Sequence, residues 1–291
     1  MGSLKVIKPG LLTTIQDQGR QGLLFYAIPR CGAIDQQASS QANLILGNPA
    51  SYPTLECTGL APHLRFLTKT QIAISGAEMD WKINGKDIAT NKTLNIEPSD
   101  ILTGAAPKTG FRSYIAIKGL IEAHNFAGSF STDTYLNAGG IAGRPITKNV
   151  TIEWKDEPLS DTNMELKSPA LEDTLQIYAG PEYDFLTENA MAKLISQIYT
   201  IRTDSNRTGI RLQGKELSIR TNINLTESVP VLSGFIQLPP SGQPIILLND
   251  CQSTGGYPRI AYLNKSSIYK LGQVPLNGKI KLNICDLNQR R

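Results

Sequence analysis

Histidine is nearly missing from this chain of 291 residues, with His63 and His124 the only two. Two histidines cannot build a multi-histidine metal centre, and a Ser-His-Asp triad would need one of this isolated pair. Cysteine is scarce too. Cys31, Cys57, Cys251 and Cys285 fall at neither metal-finger nor redox-motif spacing, and four over this length make no disulfide framework. Aromatic residues make up 7% and charged residues 19% of the chain. Basic residues outnumber acidic ones 29 to 25, for a formal charge of +4, and no basic run concentrates the excess into a nucleic-acid footprint. Apolar runs such as Tyr114–Ile117 and Ile245–Leu248 fall far short of the ~20 residues that span a bilayer. The opening Met1-Gly2-Ser3-Leu4-Lys5 lacks the apolar core of a signal peptide. Gly85-Lys86, Gly214-Lys215 and Gly278-Lys279 lack the following hydroxyl of a P-loop, so any nucleotide is held by other means. The expectation is a soluble, cytoplasmic protein with no nucleic-acid or membrane partner.

Hydrophobic residues reach 40%, enough for sizeable cores at this length. Most of the chain reads as short strands separated by turn residues, including Gln71–Ser75, Asp80–Asn84, Thr93–Glu97 and Arg112–Lys118. Asn84-Gly85 and Asn277-Gly278 each offer two residues that tolerate positive φ, as a two-residue hairpin requires. Lys279–Ile284 alternates at period two, the pattern of a half-buried strand. Three helices interrupt the strands. Asp35 is placed to cap one with Ala38, Ala42 and Ile45 on its apolar side, stopped by Gly47. Thr187 caps a second with Leu194, Ile195 and Ile198 buried, and a third runs from Ser266 to Leu271. The fold class is mainly β, with two lobes, 1–165 and 166–291, joined through the polar segment 155–173. An echo supports duplication: Asp17, Arg20 and Gly22 repeat as Asp204, Arg207 and Gly209 in the pattern D-x-x-R-x-G.

The densest polar constellation is Ser233–Arg259. Gln237, Gln243, Asp250, Gln252, Thr254, Gly255-Gly256, Tyr257 and Arg259 surround the apolar strand Pro244–Leu248. Short polar groups gathered at strand ends suit a ligand pocket, and consecutive glycines can present backbone N–H groups to an anion. The bland alternative is a tight Gly-Gly turn whose loop amides are satisfied by Asp250 and Gln252. A second glycine-rich loop, Gly139–Arg144, favours a plain surface loop over an anion site. For Arg20 and Arg207 the choice lies between bracing a turn and gripping an anion.

Several of these segments are also family motifs. Pro9–Arg20, Gly32-Ala33-Ile34-Asp35, Ala42-Asn43 through Gly47-Asn48 and Leu55-Glu56 occur in the first half. Ser205–Gly209, Gln237–Ile245 and Thr254–Pro258 occur in the second. From about Val6 to Leu282 the chain resembles the family that holds the C subunit of 5-oxoprolinase, allophanate hydrolase subunit 2 and the carboxyltransferase domain of urea carboxylase. The resemblance implies a cyclophilin-like β-barrel architecture without prolyl isomerase activity. It implies a bacterial, cytoplasmic protein working beside a smaller B subunit, similar to allophanate hydrolase subunit 1, and an amidohydrolase-like A subunit. It also implies ATP-dependent opening of 5-oxo-L-proline to L-glutamate, with ATP and Mg2+ as the cofactors. Two positions depart from the family pattern: Cys31 replaces a common Ser, and Asn206 replaces a common acidic residue.

A lactam is resonance-stabilised, so phosphorylating its carbonyl oxygen supplies a leaving group and couples ring opening to ATP. On that reading Arg207 and Arg259 bind anionic groups, the Gly255-Gly256 amides cradle an oxyanion, and Asp250 orients water or magnesium. Gln237 and Gln243 read the lactam amide, while Asp204, Thr254, Tyr257, Arg20 and Asp35 complete the substrate and ATP contacts. No metal-ligand set is assigned to this chain itself. Two alternatives stay open. One is carboxyl transfer to a urea-like amide, with carboxybiotin on a separate carrier, because no Ala-Met-Lys-Met tetrapeptide is present. The other is a non-catalytic, Kip-type regulatory protein that binds a partner without turnover.

Overall fold

A strand with one wet side alternates apolar and polar residues, and Thr151–Lys155 does so strictly, burying Ile152 and Trp154. In the computed structural model, which describes residues 1–159, 164–166, 173–220 and 227–285, this strand lies beside Gly2–Lys8, followed by His63–Phe66 and Ile101–Thr103. Their inward rows meet across the ladder, Leu4 opposite Ile152 and Phe66, and Leu64 opposite Val6 and Leu102. Leu120–Ile121 edges this seven-stranded sheet on one side and the hairpin Lys82–Ile83/Lys86–Asp87 edges it on the other. The hairpin turns at Asn84 (φ 52°) and Gly85 (φ 79°), as its dipeptide predicts.

A five-stranded sheet, ordered Leu12–Gln16, Thr54–Thr58, Thr109–Ile117, Thr70–Glu78 and Leu94–Ile96, shares that core through Ile15, Leu55, Ile72, Ile74 and Ile115. Its central strands are buried on both faces, because the helix Gln36–Ile45 covers the outer side with Ala42 and Ile45 against Ala73 and Ala116. This explains why Ile72-Ala73-Ile74 reads as a continuous apolar run rather than an alternation. Asp35 caps the helix by accepting from the Ala38 amide at 3.0 Å, and Gly47 follows its end at φ 66°.

The chain divides into two compact units: 1–21 with 31–170, and 22–30 with 171–291. The simple division at 165/166 therefore misses the excursion of 22–30 into the second unit. Within the expected linker 155–173, residues 160–163 and 167–172 lie outside the described residues. The second unit is a closed seven-stranded barrel: Thr174–Ala179, Arg259–Leu263, Phe235–Gln237, Ile245–Leu247, Gly209–Gln213, Ile198–Ile201 and Lys279–Ile284, the last pairing in parallel with the first. Ile177, Ile210, Leu212, Ile236, Ile246, Ile260, Ile280 and Leu282 are among its buried residues.

Two local expectations change. Asn277-Gly278 makes no hairpin: it follows the helix Lys265–Gly272, and Lys279–Ile284 pairs instead with Ile198–Ile201 and Thr174–Ala179. In the helix Glu188–Ser196, capped by Thr187, Leu194 is buried with Ala190, whereas Ile195 is exposed and Ile198 already belongs to the next strand.

Candidate functional site

Strand periodicity and register build the site. Arg211 lies opposite Ile245, and Ile245 opposite Gln237, so one row crosses three neighbouring barrel strands. The adjacent row, Ile210–Ile246–Ile236, is buried. Successive side chains point to opposite faces, so the Arg211–Ile245–Gln237 row lies on the outside of the barrel. A cover lies over that face. Val229–Pro230 pairs with Thr254–Gly255, and Val231 and Cys251 pack on Leu247, Phe235 and Ile245. Beside it is a solvent-open cavity of about 240 Å3 lined by Asn206, Thr208, Arg211, Gln237, Gln252 and Tyr257, floored by Ile245 and Leu247. A second, of about 190 Å3, shares Arg211, Ile245 and Tyr257 and continues to Arg202, Ser241 and Gln243.

The predicted residues separate into lining and support. Gln237 and Tyr257 line the first cavity, and Gln237 Nε2 donates to the Tyr257 carbonyl at 3.2 Å. Gly255 sits on top: a Cβ there would stand 2.8 Å from Gln237 Nε2 and touch Gln252 Nε2 at 3.4 Å, so a larger residue would displace the Gln237 amide. Arg207 and Asp250 form a two-pronged pair, Nε to Oδ2 at 2.8 Å and Nη2 to Oδ1 at 2.9 Å. Each is thus the other's partner in this structure, which gives Asp250 and Arg207 a bracing role in the loop that the expectation of ligand contacts did not include.

Arg259 is engaged within the protein as well. It grips Glu182 through Nε at 2.9 Å and Nη2 at 2.6 Å, and Nη1 donates to the Pro230 carbonyl at 2.8 Å. Hydrogen bonding from Arg259 holds the Glu182 carboxyl below its ordinary pKa, against the opposite push of burial. Arg259 thereby ties the cover to the barrel. The Gln243 carboxamide is spent on the Gly214 backbone, accepting from its N–H at 2.9 Å and donating to its carbonyl at 3.1 Å. Gly255 is in the two-residue ladder, and neither it nor Gly256 adopts positive φ, so the expected anion nest does not form. Thr254 pairs with Pro230 as the other half of that ladder. Asp204 is half exposed and held by Arg202 at 2.9 and 3.0 Å, which lowers its pKa.

Arg20 and Asp35 belong to the first unit. Arg20 is 3% exposed, donates to the Ser131 carbonyl at 2.6 Å and lies over the Phe126 ring, with Asp133 at 3.8 Å. It braces a buried turn, whose Asp17 accepts from the Gly19 and Phe130 amides and the Ser129 hydroxyl. Of the other glycine-rich loop, Gly139 lies so close to Ser131 that a Cβ would overlap its carbonyl, while Arg144 is exposed. Asp35 is the helix cap. Asp35→Ala is expected to cost about 1 kcal/mol in thermal melts and to leave ligand binding unchanged. The first unit also holds a hollow of about 600 Å3 rimmed by Glu78, Asp80, Asp87 and Glu165. Lys108 and Lys82 pair with Asp80 and Asp87, and none of the predicted site residues lines it, so size does not select it.

Comparison with known proteins fits this architecture. Residues 26–284 match the family model described as carboxyltransferase domain, subdomain A and B. The chain belongs to that carboxyltransferase-domain family. It is 35% identical over 287 residues to the C subunit of 5-oxoprolinase from Escherichia coli, covering 98% of this chain and 92% of that protein. It is 29% identical to the C subunit of 5-oxoprolinase from Haemophilus influenzae, covering 95% and 89%. The crystal structure of Kluyveromyces lactis urea amidolyase superimposes with a TM-score of 0.90 at 26% identity, covering 98% of this chain and 19% of that one. The chain thus spans about a fifth of the urea amidolyase and nearly the whole of the two 5-oxoprolinase relatives.

In this family member, sequence reasoning missed Arg211, Asn206 and Thr208 as lining residues. Asn206 also shapes the loop, accepting from the Thr208 amide at 2.8 Å, a bond that an acidic residue at this position would make equally well. The signal for Arg211 was its two-residue spacing from Gly209 in an alternating strand. Among the described residues no group of three or more His, Cys, Asp or Glu side chains is placed to hold a metal ion, and no helix is long and apolar enough to cross a membrane.

Proposed function

We propose that this chain is the lactam-binding subunit of an ATP-dependent 5-oxoprolinase, which opens 5-oxo-L-proline to L-glutamate and acts only with partner subunits. The observation that carries this reading is the cavity of about 240 Å3, in a chain that two 5-oxoprolinase relatives match nearly end to end. The substrate has a small ring, one amide and one carboxylate. The cavity presents two carboxamides, Gln237 and Gln252, for the amide, an apolar floor for the ring, and the Arg211 guanidinium for the carboxylate.

Chemically, the lactam oxygen attacks the terminal phosphorus of ATP and ADP leaves. Water then adds to the activated carbon, the carbon–nitrogen bond breaks with protonation of nitrogen, and a second water releases phosphate from the resulting γ-glutamyl phosphate. This chain contributes binding and orientation: carboxamides that hold the amide plane and a guanidinium that holds the carboxylate. The metal expected alongside ATP finds no carboxylate set among the described residues, so no step here runs through it.

The decisive experiment measures glutamate formed from 5-oxoproline and ATP by this chain alone, by its partners alone and by the mixture. Turnover is expected in the mixture only; none in any mixture rejects the reading. Arg211→Gln is expected to raise KM for 5-oxoproline about 10- to 100-fold, the scale of one charge-assisted contact, with an unchanged melting temperature. The TM-score of 0.90 with the urea amidolyase favours a second reading, carboxyl transfer between carboxybiotin on a separate carrier and a small amide. It is tested by urea-dependent consumption of carboxybiotin.

A further inference from the structure

We infer that the second cavity, on the Arg202 side of Arg211, is a phosphoryl-binding site. This rests on the lactam reading for what occupies the neighbouring cavity, while the donors that define it are independent of that reading. Arg202 and Arg211 both line it, with Ser241 and Tyr257. One carboxylate, Asp204, serves both guanidiniums, so a positive charge remains. Its hold is uneven: Arg202 is gripped at 2.9 and 3.0 Å, whereas Arg211 Nε stands 3.7 Å away. Among the described residues the Arg211 guanidinium and the hydroxyls of Ser241 and Tyr257 make no hydrogen bond. Two guanidiniums and two uncommitted hydroxyls over Pro239, Pro244 and Ile245 form a donor-rich, acceptor-poor wall, the complement of a tetrahedral oxyanion.

Position turns that wall into a subsite. The two cavities share Arg211, Ile245 and Tyr257, so a ligand whose ring lies by Gln237 carries a phosphoryl group bonded to its carbonyl oxygen toward Arg202. Arg211 has five N–H donors and serves both cavities. Asp204 holds the guanidiniums in place and competes with the incoming anion, which makes the sign of its removal diagnostic.

Inorganic phosphate and 5-oxoproline are titrated separately, by calorimetry at low ionic strength, into the full chain and into Arg202→Gln and Asp204→Asn. Both substituted residues are about half exposed, and melting curves confirm folding. Phosphate is expected to bind, to weaken at least fivefold in Arg202→Gln and to tighten several-fold in Asp204→Asn, while 5-oxoproline affinity in Arg202→Gln stays within twofold. Absence of phosphate binding, an unchanged phosphate affinity in Arg202→Gln, or weaker phosphate binding in Asp204→Asn overturns the site. Phosphate behaving as expected while 5-oxoproline fails to bind upholds the phosphoryl site and rejects the lactam assignment.

Discussion

Asp250→Ala is expected to destabilise the second unit by about 3–5 kcal/mol, the scale for stranding one partner of a buried ion pair. The side chains of Arg207 and Asp250 are 9% and 15% exposed, so water cannot replace what is removed. The guanidinium would lose two parallel charge-assisted bonds at 2.8 and 2.9 Å and remain in a poorly solvated place. The backbone bond from the Asp250 amide to the Arg207 carbonyl survives the substitution, which isolates the side-chain effect. A drop in melting temperature of roughly 10 °C or more follows from that free energy. Asp250→Asn keeps one acceptor oxygen and falls between alanine and wild type. The double variant Arg207→Ala/Asp250→Ala loses less than the sum of the singles, because each single already breaks the shared contact. Should Asp250→Ala keep its unfolding midpoint and abolish only glutamate formation, the carboxylate acts in the chemistry and the bracing role is wrong.

That reassignment shows which features can be read from the order of residues. The helix Gln36–Ile45 was legible because all its signals are local: a capping Asp35, apolar spacing and Gly47. Asn84-Gly85 was legible for the same reason. Asn277-Gly278 has identical chemistry but makes no hairpin, since the partners of Lys279–Ile284 come from Thr174–Ala179 and Ile198–Ile201. At the site, Gln237 and Tyr257 stood out as polar groups around an apolar strand. What Arg207 and Arg259 do depends on partners 43 and 77 residues away, and no spacing rule pairs an arginine with a particular distant carboxylate. Arg211 was hidden differently: its place beside Gln237 is a matter of barrel register, Arg211 to Ile245 to Gln237, which depends on non-local pairing.

Long-range pairing also sets the other large effect. On the proposed 5-oxoprolinase reading, Glu182→Gln assayed with the partner subunits is expected to lower kcat/KM for 5-oxoproline by about 10- to 100-fold, since misplacing a binding group by about 1 Å costs on the order of a hundredfold. The chain of cause is short. Glu182 fixes the Arg259 guanidinium, Arg259 Nη1 holds the Pro230 carbonyl at 2.8 Å, and Val229–Pro230 pairs with Thr254–Gly255 directly above Gln237. With a neutral partner the charge-assisted bonds weaken and the cover lifts from the amides it positions. Amide exchange at Val229 and Gly255 is expected to accelerate while that of Ile236 and Ile246 stays slow, a pattern that general unfolding would not produce. Arg259→Lys should resemble Glu182→Gln, because an ammonium cannot grip carboxylate and carbonyl with the same planar fork. Acid should reproduce the effect in the wild-type protein. The folded-state pKa of Glu182 lies below its ordinary value, so its contribution is complete above the unfolded-state pKa and is lost as pH falls through the lower folded value. Corrected for the pH dependence of intrinsic exchange, opening at Gly255 should therefore be insensitive to this group near neutrality and rise in acid, and Glu182→Gln should abolish that rise. An acid-driven rise that persists in Glu182→Gln would assign the opening to another group.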